Sequence, residues 1–317
     1  MPFHMRLEGI PIDALYDYKE KYALLTATAT GLQNDQRHNL IQEHHGRFVI
    51  PYNYISFGGQ HGTHILRNTC VLDSLLAGCH ICANVHPNIR ELFMQDSTIN
   101  AVMILLDNRM YTEAKSLWII NLDLREGCRR LYKDDNFIDI RGYIKDHLPN
   151  FLNLTSAKFH YDDDRRSPNP EDDVYHKTVS KFEALGEVRA LGPRTNPQLI
   201  LVDVDARING FPALVITDDY GREFKVQFLL LGMITADSNH MVLYTSLNEG
   251  WWLYDDMKNP LFRAIAMEDI QTQDYVVYLA AYVNVSTGSK TERPDVNSAP
   301  SSWRRGREDS LVLQPRK

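Results

Sequence analysis

Apolar positions change their period near the middle of this chain. From Asn68 to about Phe93, and from Ser97 to about Leu131, they recur every three or four residues, as at Leu72, Leu75, Leu76 and Cys79 and then at Val102, Leu105 and Leu106. That spacing predicts amphipathic helices. Shorter helical patterns lie at Ile12 to Leu25 and at Gln36 to His45. From Pro197 onward the pattern turns to short runs rich in Val, Ile, Leu and aromatics: Gln198 to Val204, Ala213 to Thr217, Glu223 to Ala236, His240 to Ser246, Trp251 to Tyr254 and Tyr275 to Val283. Turn residues separate them, including Asn209-Gly210, Asp218 to Gly221 and Asn248 to Gly250, so the runs read as strands. Helices followed by strands predict the α+β class, a helical half packed on an antiparallel sheet.

Composition narrows the setting. With 317 residues and 44% hydrophobic content the chain can bury a sizeable core. Its four cysteines, Cys70, Cys79, Cys82 and Cys128, are too few for a disulfide scaffold, and the start MPFHMRLEGIPID has no apolar secretion segment. An intracellular protein of the cytoplasm or nucleus is expected. The run Tyr275 to Val283 is about half the roughly 18 residues a membrane span needs, so no membrane is expected as a partner. The net charge is −7, and because residues 284–317 hold seven basic and four acidic residues, residues 1–283 carry −10. An acidic body argues against nucleic acid as the ligand.

The same patterns suggest boundaries: a partly helical N-terminal extension over residues 1–50, a folded domain over 51–283 interrupted by an acidic loop at 162–173, and a disordered basic tail over 284–317.

Two segments carry chemistry. In the first, His61 to Leu76, Asn68 or Thr69 is a good helix N-cap and Cys70 falls in the first turn. Free backbone N–H groups and the positive end of the helix dipole favour a thiolate there, which makes Cys70 a candidate nucleophile. In the second, the run from His240 leads through the turn Leu247 to Gly250 into Trp251 to Asp256. A two- or four-residue loop would put Asp255 on the face of His240, whereas a loop of odd length would bring Asp256 there. A carboxylate beside an imidazole fixes its tautomer and stabilises its charged form.

Together the two segments resemble the ubiquitin-specific protease family. Gly62, Leu66, Asn68, Thr69, Cys70 and Ser74 coincide with the family's cysteine box, and His240, Tyr244, Trp251, Asp255 and Asp256 with its histidine box. The run Cys70-Val71-Leu72-Asp73 looks more like the divergent SUMO-directed branch, which reads Cys-Trp-Leu-Asp and lacks zinc fingers. The resemblance covers about Phe57 to Val283. It implies a papain-like cysteine protease fold, a Cys70-His240-Asp255 triad with Asp256 as a second acid, and no cofactor or metal. It also implies an isopeptidase whose partners are SUMO or ubiquitin and their protein conjugates. Two positions depart from the family. Its oxyanion-stabilising Asn aligns with Ile65, leaving Asn68, His64 or a backbone amide to serve, and Arg67 replaces a Gly beside the nucleophile. Losing one oxyanion donor costs about 100- to 1,000-fold in rate, so an inactive modifier-binding or scaffold protein is the alternative.

Other motifs read as structural. Cys79-His80-Ile81-Cys82 has the spacing of half a zinc site but no second half, and Cys79 lies on the apolar face of its helix. Cys128 lies beside Arg129 and Arg130 without a base in the sequence pattern, and the adjacent His44 and His45 do not share a helix face.

Overall fold

The computed structural model describes residues 12–34, 49–51, 53–121, 137–142, 144–147, 174–179, 197–204, 211–217, 221–234, 239–273 and 275–286. Residues 1–285 form one compact unit and residues 286–317 a second, of which Ser286 alone is described. The predicted helix at Gln36 to His45, Cys128, the acidic loop and residues 287–317 of the basic tail lie outside the described residues.

The elements of the first unit are α1 (Ile12–Asn34), β1 (Gln60–His61), β2 (His64–Arg67), α2 (Cys70–Val85), α3 (Pro87–Met94), α4 (Ser97–Asp107), α5 (Tyr111–Asn121), β3 (Phe137–Asp139), α6 (Ile144–His147), β4 (Val174–Val179), β5 (Leu199–Val204), β6 (Val215–Thr217), β7 (Glu223–Ile234), β8 (Asn239–Leu247), β9 (Gly250–Tyr254), β10 (Phe262–Ala264), α7 (Met267–Gln271) and β11 (Tyr275–Asn284). The α+β class stands, with helices first and sheet after.

Within the described residues each long helix expected from the periodicity is two helices, and the end of the second, residues 122–131, lies outside them. His86 is extended, as a residue before proline prefers, and Pro87 opens α3 where its missing N–H costs nothing. The second break lies at Arg109, whose φ of 60° cannot continue a right-handed helix. Asp96 starts α4 by accepting from the Thr98 and Ile99 amides, both at 2.9 Å. The helix α1 lies against α4 and α5, with Ala29 buried and Tyr22 Oη 3.2 Å from Thr98 Oγ1.

The main sheet runs β10-β9-β8-β7-β11-β5-β4, with β6 also paired to β7. It is antiparallel except at its end, where β4 joins β5 in parallel, and a separate small sheet β1-β2-β3 also has a parallel pair, β2 with β3. Both parallel pairs join strands far apart in the chain, which alternation along a single strand does not reveal. Successive side chains of the central strands serve two cores. Leu201, Phe228, Leu230, Leu243 and Leu279 face the helices, while Ile200, Leu229, Leu231, Val242 and Ala280 face the layer that includes α7. A strand buried on both faces reads as a continuous apolar run, as Phe228 to Leu231 does.

The helix α2 lies directly on this sheet. At Gly78 an added Cβ would stand 3.0 Å from the Phe228 ring and 3.1 Å from Leu243, so glycine permits the close approach. Ser74 Oγ donates to the Met241 carbonyl at 3.2 Å. That bond joins the helix carrying Cys70 to the strand carrying His240.

Candidate active site

Cys70 opens α2 and is partly exposed with a free thiol. Asn68 before it turns through φ 56°, and Thr69 does not cap the helix with its side chain. Its hydroxyl instead accepts from the Gly58 amide at 2.7 Å. Asp73 N donates to Thr69 O at 2.8 Å, closing the first turn, and the N–H groups before it have no intrahelical acceptor. The nucleophile candidate therefore sits among the donors that an anion at this position would use.

His240 is supplied by β8 and Asp255 by the end of β9. Leu247 pairs with Gly250 across the two-residue turn Asn248-Glu249, whose φ values of 51° and 66° are those of a tight hairpin turn. The register Leu243 to Tyr254 puts Asp255 diagonally beside His240 on one face. His240 Nε2 lies 2.9 Å from Asp255 Oδ1 and 3.5 Å from Asp256 Oδ1. Asp255 also accepts from the Met257 amide at 3.1 Å, which fixes its carboxylate. Cys70 is near enough to His240 to help raise its pKa as a hydrogen-bonding neighbour. With Nε2 at Asp255, Nδ1 is the ring nitrogen left for a partner.

Charge follows the geometry. Burial alone would push the His240 pKa down, but the hydrogen bonds to Asp255 and Cys70 and the charges of Asp256 and Asp255 outweigh it and raise the value to about 10. Burial would raise Asp255, yet its bonds to His240 and the Met257 amide and the charges of His240 and Lys258 hold it below the ordinary carboxylate range. An imidazolium beside a carboxylate is the resting state at neutral pH. Because the His240 value is raised and the Asp255 value lowered, the pair's stabilisation is complete between the unfolded values of about 3.9 and 6.5, is lost as pH rises through about 10, and is lost again as pH falls below the carboxylate range. Asp255→Asn is expected to flatten the fall in Tm between pH 7 and 10, measured by thermal melts of variant and wild type; equal slopes would remove this pair as the cause.

The other candidates are placed differently. Asn68 Nδ2 donates to Asp139 Oδ1 at 2.8 Å, so its amide is engaged by β3. His64 lies in β2, 3.5 Å from the Thr63 hydroxyl, and Ile65 is half exposed. The Arg67 guanidinium stacks over the Phe137 ring, 3.2 Å from its centre, rather than standing free beside Cys70. Asp256 is buried, and its carbonyl accepts from the Phe57 amide at 3.0 Å.

Cys79 and Cys82 are core residues, and burial pushes the Cys79 thiol up to about 12 and raises Cys82 as well. His80 between them lies 2.7 Å from Tyr54 Oη and 2.9 Å from Asp107 Oδ1, so no half zinc site is presented. Among the described residues, the His/Cys/Asp/Glu group compact enough to share a cation is His240, Asp255 and Asp256, with ligand atoms within 4.8 Å. Sequence reasoning missed Lys115, which is buried and lies 2.7 Å from Asp73. A lysine beside Ala114 and close to Leu117 and Trp118 in an apolar helix was the available signal.

No family model matches this sequence, and no curated protein does. Among solved structures, the chain is similar to a SAGA DUB module of Ubp8, Sgf11, Sus1 and Sgf73 bound to monoubiquitin, at 8% identity and TM-score 0.41 over 76% of this chain and 72% of that one. The Ubp8 module bound to ubiquitin aldehyde gives 8% identity and TM-score 0.41 over 74% and 71%. The Pan2 pseudoubiquitin hydrolase-RNA exonuclease module of Saccharomyces cerevisiae gives 8% identity and TM-score 0.24 over 29% and 21%. No described helix is long and apolar enough to cross a membrane.

Proposed function

We propose that the chain is a papain-like cysteine isopeptidase that releases a ubiquitin-like modifier from its conjugates. The observation that carries this reading is the Cys70-His240-Asp255 alignment, with the thiol at a helix start and Nε2 2.9 Å from the carboxylate. The Cys70 thiolate attacks the carbonyl of the modifier's terminal glycine, and the tetrahedral oxyanion takes hydrogen bonds from the first N–H groups of α2. His240, holding the proton, gives it to the departing lysine amine, leaving a thioester on Cys70. Water then attacks the thioester while His240 takes its proton, and cleavage of the C–S bond returns the thiolate and imidazolium. Asp255 stays ionised throughout and orients the ring. The choice of modifier rests on the two sequence boxes, and the Cys-Val-Leu-Asp run favours SUMO over ubiquitin.

A second reading is a modifier-binding protein without turnover. Ile65 offers no donor where the resembling family has Asn, and Asn68 is held by Asp139. SUMO and ubiquitin carrying a fluorogenic C-terminal amide separate the two readings. The isopeptidase cleaves at least one of them, and the activity disappears in Cys70→Ala; saturable binding of both without cleavage would replace the enzyme by the binder.

A further inference from the structure

The proposed reaction leaves one buried carboxyl of the site unused. Asp256 is 3% exposed, and neither oxygen of its side chain has a hydrogen-bond partner. Burying a carboxylate without a donor is costly, and a bound cation removes that cost. Asp256 Oδ1 lies 3.5 Å from His240 Nε2, and the same nitrogen lies 2.9 Å from Asp255 Oδ1. One donor atom from each of these three residues falls within 4.8 Å of the others. The fold holds them there. His240 belongs to β8, and the two acids follow β9 directly. The Met257 amide donates to Asp255 Oδ1 at 3.1 Å, and the Asp256 carbonyl accepts from the Phe57 amide at 3.0 Å.

This donor set selects a class of ion. Tetrahedral zinc binds imidazole nitrogen and carboxylate oxygen at about 2.0–2.2 Å, which separates its ligand atoms by about 3.3–3.6 Å. The 3.5 Å separation falls in that range and the 2.9 Å separation lies just below it. Magnesium and calcium prefer oxygen alone, whereas one imidazole with two carboxylates suits zinc and its first-row neighbours. The ion takes the place of the Nε2 proton, which passes to solvent together with any proton on Asp256. The ring is then neutral, keeps its one proton on Nδ1 and has lost Asp255 as its partner. It no longer carries the imidazolium charge beside Cys70, and it is a far weaker proton donor to a leaving amine.

We propose that His240, Asp255 and Asp256 form a binding site for a divalent cation of the zinc class, and that occupancy switches the proposed enzyme off. The switching rests on the isopeptidase reading and the binding does not, so the two are measured apart. For binding, the full-length Cys70→Ala chain, which offers no Cys70 thiolate to the metal, is titrated with Zn²⁺ at neutral pH by isothermal titration calorimetry. A saturable site is expected. Adding Asp256→Asn, which keeps the shape of the side chain, is expected to weaken it tenfold or more, since loss of even an outer partner of a metal ligand costs about 10- to 100-fold. Adding His240→Ala instead is expected to do the same or worse. No saturable binding, or binding that either substitution weakens less than tenfold, overturns the site. For switching, Zn²⁺ is expected to suppress cleavage of the fluorogenic modifier amide by the wild-type chain, EDTA to restore it, and Asp256→Asn to need at least tenfold more Zn²⁺ for the same inhibition. A smaller difference between the two chains would place the inhibition on the thiol and overturn the switch. If neither modifier is cleaved in the absence of metal, the isopeptidase reading fails instead, and the calorimetry alone decides the site.

Discussion

His240→Ala is expected to lower the turnover of a cleaved modifier substrate by a factor on the order of 10^6, the scale on which removing one member of a catalytic triad acts. The imidazole performs two tasks that no neighbour can share. In the proposed reaction it is the cation partner of the Cys70 thiolate and the proton donor to the leaving amine. Asp255 and Asp256 are the other titratable groups at this ring, and carboxylates cannot stabilise a thiolate. Single-turnover rates with excess enzyme check this, and a residual rate within tenfold of wild type would mean that another group moves the proton.

Asp255→Ala is expected to cost about 10^4-fold in kcat with the substrate still bound, the size of effect seen when the orienting acid of a triad is lost. Asp256→Ala should cost far less in kcat. The two carboxylates are neighbours in sequence, but Asp255 holds Nε2 at 2.9 Å and is anchored by the Met257 amide, whereas Asp256 lies 3.5 Å away and faces Asp73. Parallel measurement of kcat and KM for both variants decides between them. The opposite order would move the orienting role to Asp256.

The sequence carried the hairpin well because local rules govern it. Alternation set the faces of β8 and β9, and the even loop that placed Asp255 with His240 follows from the two-residue turn Asn248-Glu249. The first turn of α2 was legible from Asn68, Thr69 and the apolar spacing after Cys70. What escaped depends on contacts distant in sequence. Ser74 bonds to Met241, Thr69 gives its hydroxyl to Gly58 instead of capping, and Lys115 meets Asp73 from another helix. Apolar periodicity alone also ran through the breaks at Pro87 and Arg109, because the helices on either side bury the same kind of face. Parallel strands such as β4, joined to β5 across a long connection, leave no mark that pattern reading detects.

The central claim is that Cys70 is a nucleophile aimed at the C-terminus of a ubiquitin-like modifier. SUMO and ubiquitin bearing a C-terminal electrophile test it most directly, with the modified residue identified by peptide mapping. The account predicts a covalent adduct with at least one of the two, on Cys70, that disappears in Cys70→Ala. No adduct with either probe, or one placed on Cys79, Cys82 or Cys128, would contradict it.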